Sequence, residues 1–123
     1  MKIIHQGYLY DLHKSTVIGE IDNELDREKP GFKFKALLKT DEGRYFLVII
    51  KNKFIFDNDS NPVPGKYRPV NRMKPISEKK AKKWALKNLS VEKYIAEFIA
   101  KQSMNDSVML LSKDQNPLTN SLQ

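Results

Sequence analysis

The chain has no cysteine and only two histidines. The first absence excludes a disulfide framework and any thiolate zinc site. The second leaves His5 and His13 without the four ligands that zinc requires. No run approaches the roughly 18 to 20 apolar residues of a membrane-spanning helix. The opening MKIIHQGYLYD has too short an apolar run for a secretion signal and no small-residue cleavage site, so a cytoplasmic protein is expected. Loop motifs for phosphate and calcium are missing as well. Gly65-Lys66 is followed by Tyr67 where Ser or Thr should coordinate magnesium. The series Asp57, Asp59, Asn61 meets Pro62 where a calcium loop needs Gly and Arg68 where it needs Glu. No metal and no cofactor are expected. Nucleophilic triads and paired carboxylates on one element are also absent, and the one acid–base candidate is His13 beside Asp11 or Tyr10.

What the chain has is basic charge, unevenly placed. The net charge of +7 over 123 residues hides an acidic start, where residues 1–26 carry two Lys against five Asp and Glu. Residues 27–75 carry twelve Lys and Arg against five acids, residues 76–101 seven against three, and residues 102–123 one against two. A basic middle of this kind is the electrostatic footprint expected for a polyanion such as nucleic acid, or else a lysine-rich solvated surface.

The organising stretch is FKFKALLKTDEGRYFLVII, residues 32–50, which reads as two antiparallel strands around a turn at Asp41, Glu42 and Gly43. Asp and Glu suit the central positions of a type I turn, and Gly43 supplies the positive φ that follows. With Thr40 opposite Arg44, parity puts Phe32, Phe34, Ala36 and Leu38 on one face with Phe46, Val48 and Ile50, the expected core. Lys33, Lys35, Leu37 and Lys39 fall on the other face with Tyr45, Leu47, Ile49 and Lys51. Either that face is open and binds, or Leu37, Leu47 and Ile49 are buried under a helix while the lysines extend around it; a helix over one end only would satisfy both.

Upstream, Ile3 to Tyr10 and Thr16 to Ile21 read as a second hairpin, joined through a turn at Asp11. The acidic run Glu20, Asp22, Glu24, Asp26 reads as a loop or an edge. Downstream, Asp57 to Pro75 holds Pro62, Pro64, Pro69 and Pro75, which exclude helix and central strand, so a long loop is expected there. Ser77 is an N-cap for a helix from about Glu78 to Lys87, with Ala81, Trp84 and Ala85 as its apolar stripe. Ser90 caps a second helix whose Val91, Tyr94, Ile95, Phe98 and Ile99 repeat at helical spacing and read as core. The reading is thus α+β: a four-stranded antiparallel sheet of two hairpins packed on two C-terminal helices. Trp84, Tyr94 and Phe98 are expected on the Phe32, Phe34, Phe46 face. One domain is expected over 1–101, followed by a polar tail, 102–123, with a possible docking segment at 108–111.

The candidate binding residues follow from charge and position. Lys33, Lys35, Lys39, Arg44 and Lys51 on the hairpin offer phosphate contacts around Tyr45, a stacking surface. Lys66, Tyr67, Arg68, Arg72 and Lys74 form a second basic cluster around an aromatic, and Lys79, Lys80 and Lys83 lie on the first helix.

Tyr10, Asp11 and Ile18, then Leu37, Thr40, Gly43, Tyr45, Phe46 and Leu47, then Ala81 and Trp84 resemble the pattern of a family of small bacterial proteins common on plasmids, integrated elements and phages. The resemblance spans about residues 8 to 85 and departs from the pattern at Leu12 and Ser15. It implies an accessory protein of mobile DNA, and similar small proteins include anti-CRISPR inhibitors of type II effector nucleases. The expected function is therefore a non-catalytic inhibitor that binds such a nuclease, its guide RNA, or both. The alternatives are a DNA-binding transcriptional or plasmid-maintenance regulator and a small ribonuclease relying on His13.

Overall fold

The turn at Asp41 to Gly43 forms as its residue types require. Gly43 takes φ 84°, its N–H donates to Thr40 O at 2.9 Å, and Thr40 N–H donates to Arg44 O at 2.8 Å. The Thr40 hydroxyl accepts from Arg44 N–H at 3.0 Å, closing the loop a second time. From this turn the register runs out through Lys39 opposite Tyr45, Leu37 opposite Leu47 and Lys33 opposite Lys51.

The computed structural model describes residues 1–100. Among them are six strands: β1 (Lys2–His5), β2 (Tyr8–Asp11), β3 (Thr16–Asp22), β4 (Lys33–Lys39), β5 (Tyr45–Phe56) and β6 (Pro62–Ile76). Helix α1 (Glu78–Asn88) and helix α2 (Val91–Tyr94) follow. The chain divides into two compact units, Met1–Leu89 and a second that begins at Ser90. The expected tail 102–123, with its docking segment 108–111, lies outside the described residues.

The fold is α+β with a four-stranded antiparallel sheet in the order β3-β4-β5-β6. Its strands are not all those expected. The first segment folds back on itself as β1-β2, a separate two-stranded sheet that turns at Gln6 (φ 52°) and Gly7 (φ 82°). The fourth strand comes from the stretch expected to be a long loop. Only Asp57 to Asn61 is a turn, tied by Asp57 Oδ1 accepting from the N–H groups of Asp59 and Asn61, each at 2.9 Å. Pro62 to Ile76 then pairs back along β5. The prolines permit this because β6 is an edge strand. Pro69 and Pro75 are an even number of residues apart and turn the same side, the one without an N–H, away from β5. Pro62 and Pro64 lie beyond a register shift at Phe54/Phe56, near Gly65 with φ 71°. Prolines along this edge also blunt it against pairing with another sheet.

Both faces of the sheet are covered at the turn end. On the first, Ala36, Leu38, Phe46 and Val48 pack with Tyr10 and Met73, joined by Ile3, Leu12, Phe34 and Ile50. The face is core as expected, but its cover is the β1-β2 hairpin. Tyr10 sets its ring edge-on to Phe46, with centroids 5.7 Å apart. On the second face Tyr45, Leu37 and Leu47 are buried, as are Ala81 and Ala85 of α1. Leu89, just past α1, lies over Gly19, the β3 residue paired with Leu37; a Cβ on Gly19 would sit 2.6 Å from Leu89 Cδ2. Helix α1 is thus seated on the Leu37 face instead of the Phe46 face, since the amino-terminal hairpin already occupies the latter. Ser77 caps it as expected, accepting from Lys80 N–H at 3.2 Å.

In the second unit Ser90 caps α2, accepting from Lys93 N–H at 3.3 Å. Residues Ile95–Ile99 continue as a π turn. The wider turn breaks the expected five-residue stripe. Tyr94 and Phe98 approach with ring centroids at 5.0 Å, while Val91, Ile95 and Ile99 are exposed. No helix among the described residues is long and apolar enough to cross a membrane.

Candidate nucleic-acid interface

Helix α1 covers the second sheet face at one end and leaves the other end open. There β4, β5 and β6 lie side by side, with Lys35 opposite Ile49, Ile49 opposite Arg72, Lys33 opposite Lys51 and Lys51 opposite Val70. Lys74 stands one step closer to the helix, opposite the buried Leu47. Together Lys33, Lys35, Lys51, Arg72 and Lys74 surround Ile49 and Val70 in a shallow groove of about 260 Å³ that no carboxylate lines. Four of the cations are exposed; Lys51, Ile49 and Val70 are half-buried. Among the described residues none of the five is in an ion pair; the Lys82–Glu78 pair lies on α1, at 3.4 Å. The charges are therefore available to an anion. They project from three hydrogen-bonded strands, which hold their Cα positions without help from a loop.

Lys33 and Lys51 also line a second, larger cleft of about 430 Å³. Lys53, Phe54, Phe56 and Leu25 line it, with Asn23, Gly31 and Asn52. Its far wall is the segment between β3 and β4, held by two asparagines. Buried Asn52 donates from Nδ2 to Arg27 O at 2.7 Å and to Lys29 O at 2.9 Å. Asn23 donates from Nδ2 to Gly31 O at 2.8 Å and accepts from Lys33 N–H at 3.0 Å. Replacing Asn52 by Ala removes the side-chain bond to Arg27 O and leaves Lys29 O with only the Phe32 N–H at 3.2 Å, and is expected to cost about 1–3 kcal/mol. Urea denaturation would show the loss, and faster amide exchange at Gly31, whose N–H donates to Asn52 O at 2.8 Å, would localise it. An unchanged midpoint with unchanged exchange would mean that other contacts hold the wall.

The remaining sequence candidates are dispersed. Tyr45 is only 7 % exposed, with Lys39 Nζ 5.8 Å from its ring centroid, so its faces are taken up inside the protein. Arg44 has the parity of Phe46 and lies on the opposite side of the sheet, its guanidinium carbon 3.2 Å from the Tyr8 ring centroid. It shares a depression with His5, Ser77 and Lys80. Arg68 pairs with Lys53 and Tyr67 with Phe54, beyond the groove along β6, and Lys66 precedes them near the register shift. Lys79 and Lys83 are exposed on α1, and neither lines the groove. Asp11, the proposed partner of His13, is engaged by the backbone, accepting from His13 N–H at 3.0 Å to cap the 3-10 turn Leu12–Lys14. Among the described residues no group of three or more His, Asp or Glu is placed to hold a metal ion.

Phe54 and Phe56 carry the strongest signal that sequence reasoning passed over. They are 49 % and 58 % exposed, with ring centroids 6.3 Å apart. In the sequence Lys51 and Lys53 run directly into Phe54 and Phe56, a grouping of cations beside aromatics on one strand. Set against protein families, curated proteins and solved structures, the chain matches none of them.

Proposed function

We propose that this protein is a non-catalytic RNA-binding inhibitor that engages an RNA-guided nuclease of the type II class through the guide RNA exposed on it. The observation that carries the reading is the groove of five cations free of ion pairs, Lys33, Lys35, Lys51, Arg72 and Lys74, spread over three strands around Ile49 and Val70. Fixed cations on a sheet suit a phosphate backbone, and the apolar floor keeps the lysine stems extended toward it. The inhibitor role follows from the likeness to small mobile-element proteins carried by Leu37, Thr40, Gly43, Tyr45, Phe46 and Leu47. A guide-RNA complex presents accessible RNA phosphate, so a binder without chemistry of its own suffices to block it.

The test is a target-cleavage assay with a reconstituted type II nuclease and guide RNA, run with and without the full chain. Capture on the immobilised protein at about 0.1 M and about 0.5 M salt accompanies it. Cleavage should fall in proportion to added protein, with the guide-loaded nuclease retained at low salt and largely released at high salt. Uninhibited cleavage with retention of one duplex DNA site over random duplex would replace the inhibitor by a DNA-binding regulator.

A further inference from the structure

We infer that the Phe54/Phe56 cleft receives an unpaired base of a single-stranded RNA whose phosphates run along the neighbouring lysine groove. The inference rests on the RNA-binding reading above and names the form of RNA that the same surface selects.

Three observations support it. The first is exposure: Phe54 and Phe56 are large apolar rings left about half open on a strand, beside Leu25 at 45 %. Single exposed apolar side chains are common, but a contiguous exposed apolar cluster of this kind marks an interaction site. The second is charge: Lys33, Lys51 and Lys53 rim the cleft, and Lys33 and Lys51 also line the groove, so the cleft and the groove meet at these two residues. An apolar slot edged by three lysines, with Asn23 and Asn52 and no carboxylate in its lining, is complementary to a base attached to phosphate, and unlike an apolar peptide such a ligand satisfies both parts. The third is construction. Gly31, with φ 86°, lies under the Phe54 ring, where a Cβ would come 2.9 Å from Cζ. Any side chain at position 31 would push the ring out of place. Asn52 and Asn23 fix the wall on which Leu25 sits through four hydrogen bonds.

Duplex RNA keeps its bases stacked and offers none to such a slot, whereas a single strand can turn one out onto an aromatic face. The surface should therefore prefer single strands, and the preference should reside in the rings, with the lysines contributing affinity to both forms.

The experiment is fluorescence anisotropy of the full chain with a fluorescein-labelled 12-nucleotide oligouridine and with a labelled RNA duplex of the same length. The intact protein should bind the single strand more tightly than the duplex. Phe54→Ala with Phe56→Ala should weaken the single strand about 5- to 100-fold, the range expected for loss of base stacking. Duplex binding should stay within about twofold, and the salt dependence should be unchanged because no cation is removed. Phe56→Leu keeps apolar bulk at an exposed position and removes only the ring; it should lose several-fold for the single strand with an unchanged circular dichroism spectrum, and it decides the matter if the double variant misfolds. If the ring variants bind the single strand as the intact protein does while Lys35→Glu with Arg72→Glu abolishes binding, the base site is wrong and the phosphate groove stands. If the intact protein binds neither RNA at about 0.1 M salt, both readings fall.

Discussion

Changing Lys35, Lys51 and Arg72 together to Glu is expected to weaken RNA binding by at least about 100-fold at 0.1 M salt. The three residues lie on adjacent strands of the groove, Lys35 across from Ile49 and Ile49 across from Arg72, with Lys51 one pair further along. Each reversal removes a cation and adds a repelling carboxylate. If all five groove cations meet phosphates, the intact protein should lose roughly 300-fold in affinity between 0.1 and 0.5 M salt, from a slope of about −0.7 per contact on a single strand. The triple variant retains Lys33 and Lys74, so its slope should fall to about two-fifths of that value. Lys79→Glu with Lys83→Glu on α1 changes net charge by four without touching the groove. That pair should cost less than about threefold, because exposed charges beyond a Debye length are screened. Equal losses from the groove and helix variants would show attraction to net charge alone and remove the groove as a site. Substitutions of exposed residues such as Lys35 and Arg72 usually change stability by under about 0.5 kcal/mol. Because Lys51 is half-buried, the circular dichroism spectrum and urea midpoint of the triple variant are measured beside its binding.

Phe46→Ala should have the largest effect on stability. Its side chain has no exposed surface and meets Tyr10 edge-on, and truncating a buried Phe to Ala typically costs about 3–5 kcal/mol. In a unit of 89 residues that corresponds to a fall in Tm on the order of 15–30 °C. Leu37→Ala provides the comparison. Leu37 is equally inaccessible but lies on the opposite face, under α1, so it too should cost about 2–5 kcal/mol. The two positions report on two separate layers. A cost below about 1 kcal/mol for Leu37→Ala would mean that α1 is not seated on that face in solution. Calorimetry or urea denaturation of the full chain measures both.

Much of the local structure was legible because it depends on residues close in sequence. The Asp41–Gly43 turn, the register that follows from it, the caps Ser77 and Ser90 and the division of apolar residues between the two faces of β4-β5 all rest on interactions within a few residues. The strand β6 was not legible from composition, because the same prolines that rule out a central strand are tolerated on an edge, and whether a strand is an edge is a property of the whole sheet. The extra turn at Gln6-Gly7 was missed as well. Gln6 at φ 52° is an uncommon conformation for its type, taken because a two-residue hairpin loop favours positive φ at both of its positions.

The candidate site divides along the same line. The sequence by itself determined that positive charge gathers between residues 27 and 101 and that Lys33, Lys35 and Lys51 share one side of a hairpin, because alternation along a strand is a covalent regularity. Tertiary structure alone decided that Arg72 and Lys74 join them, that Arg44 falls on the far side and Tyr45 under cover, and that Phe54 and Phe56 stay exposed. Those outcomes depend on which strand pairs with β5 and which face α1 takes, choices made by the competition of whole apolar surfaces for burial and not by any residue's own preference.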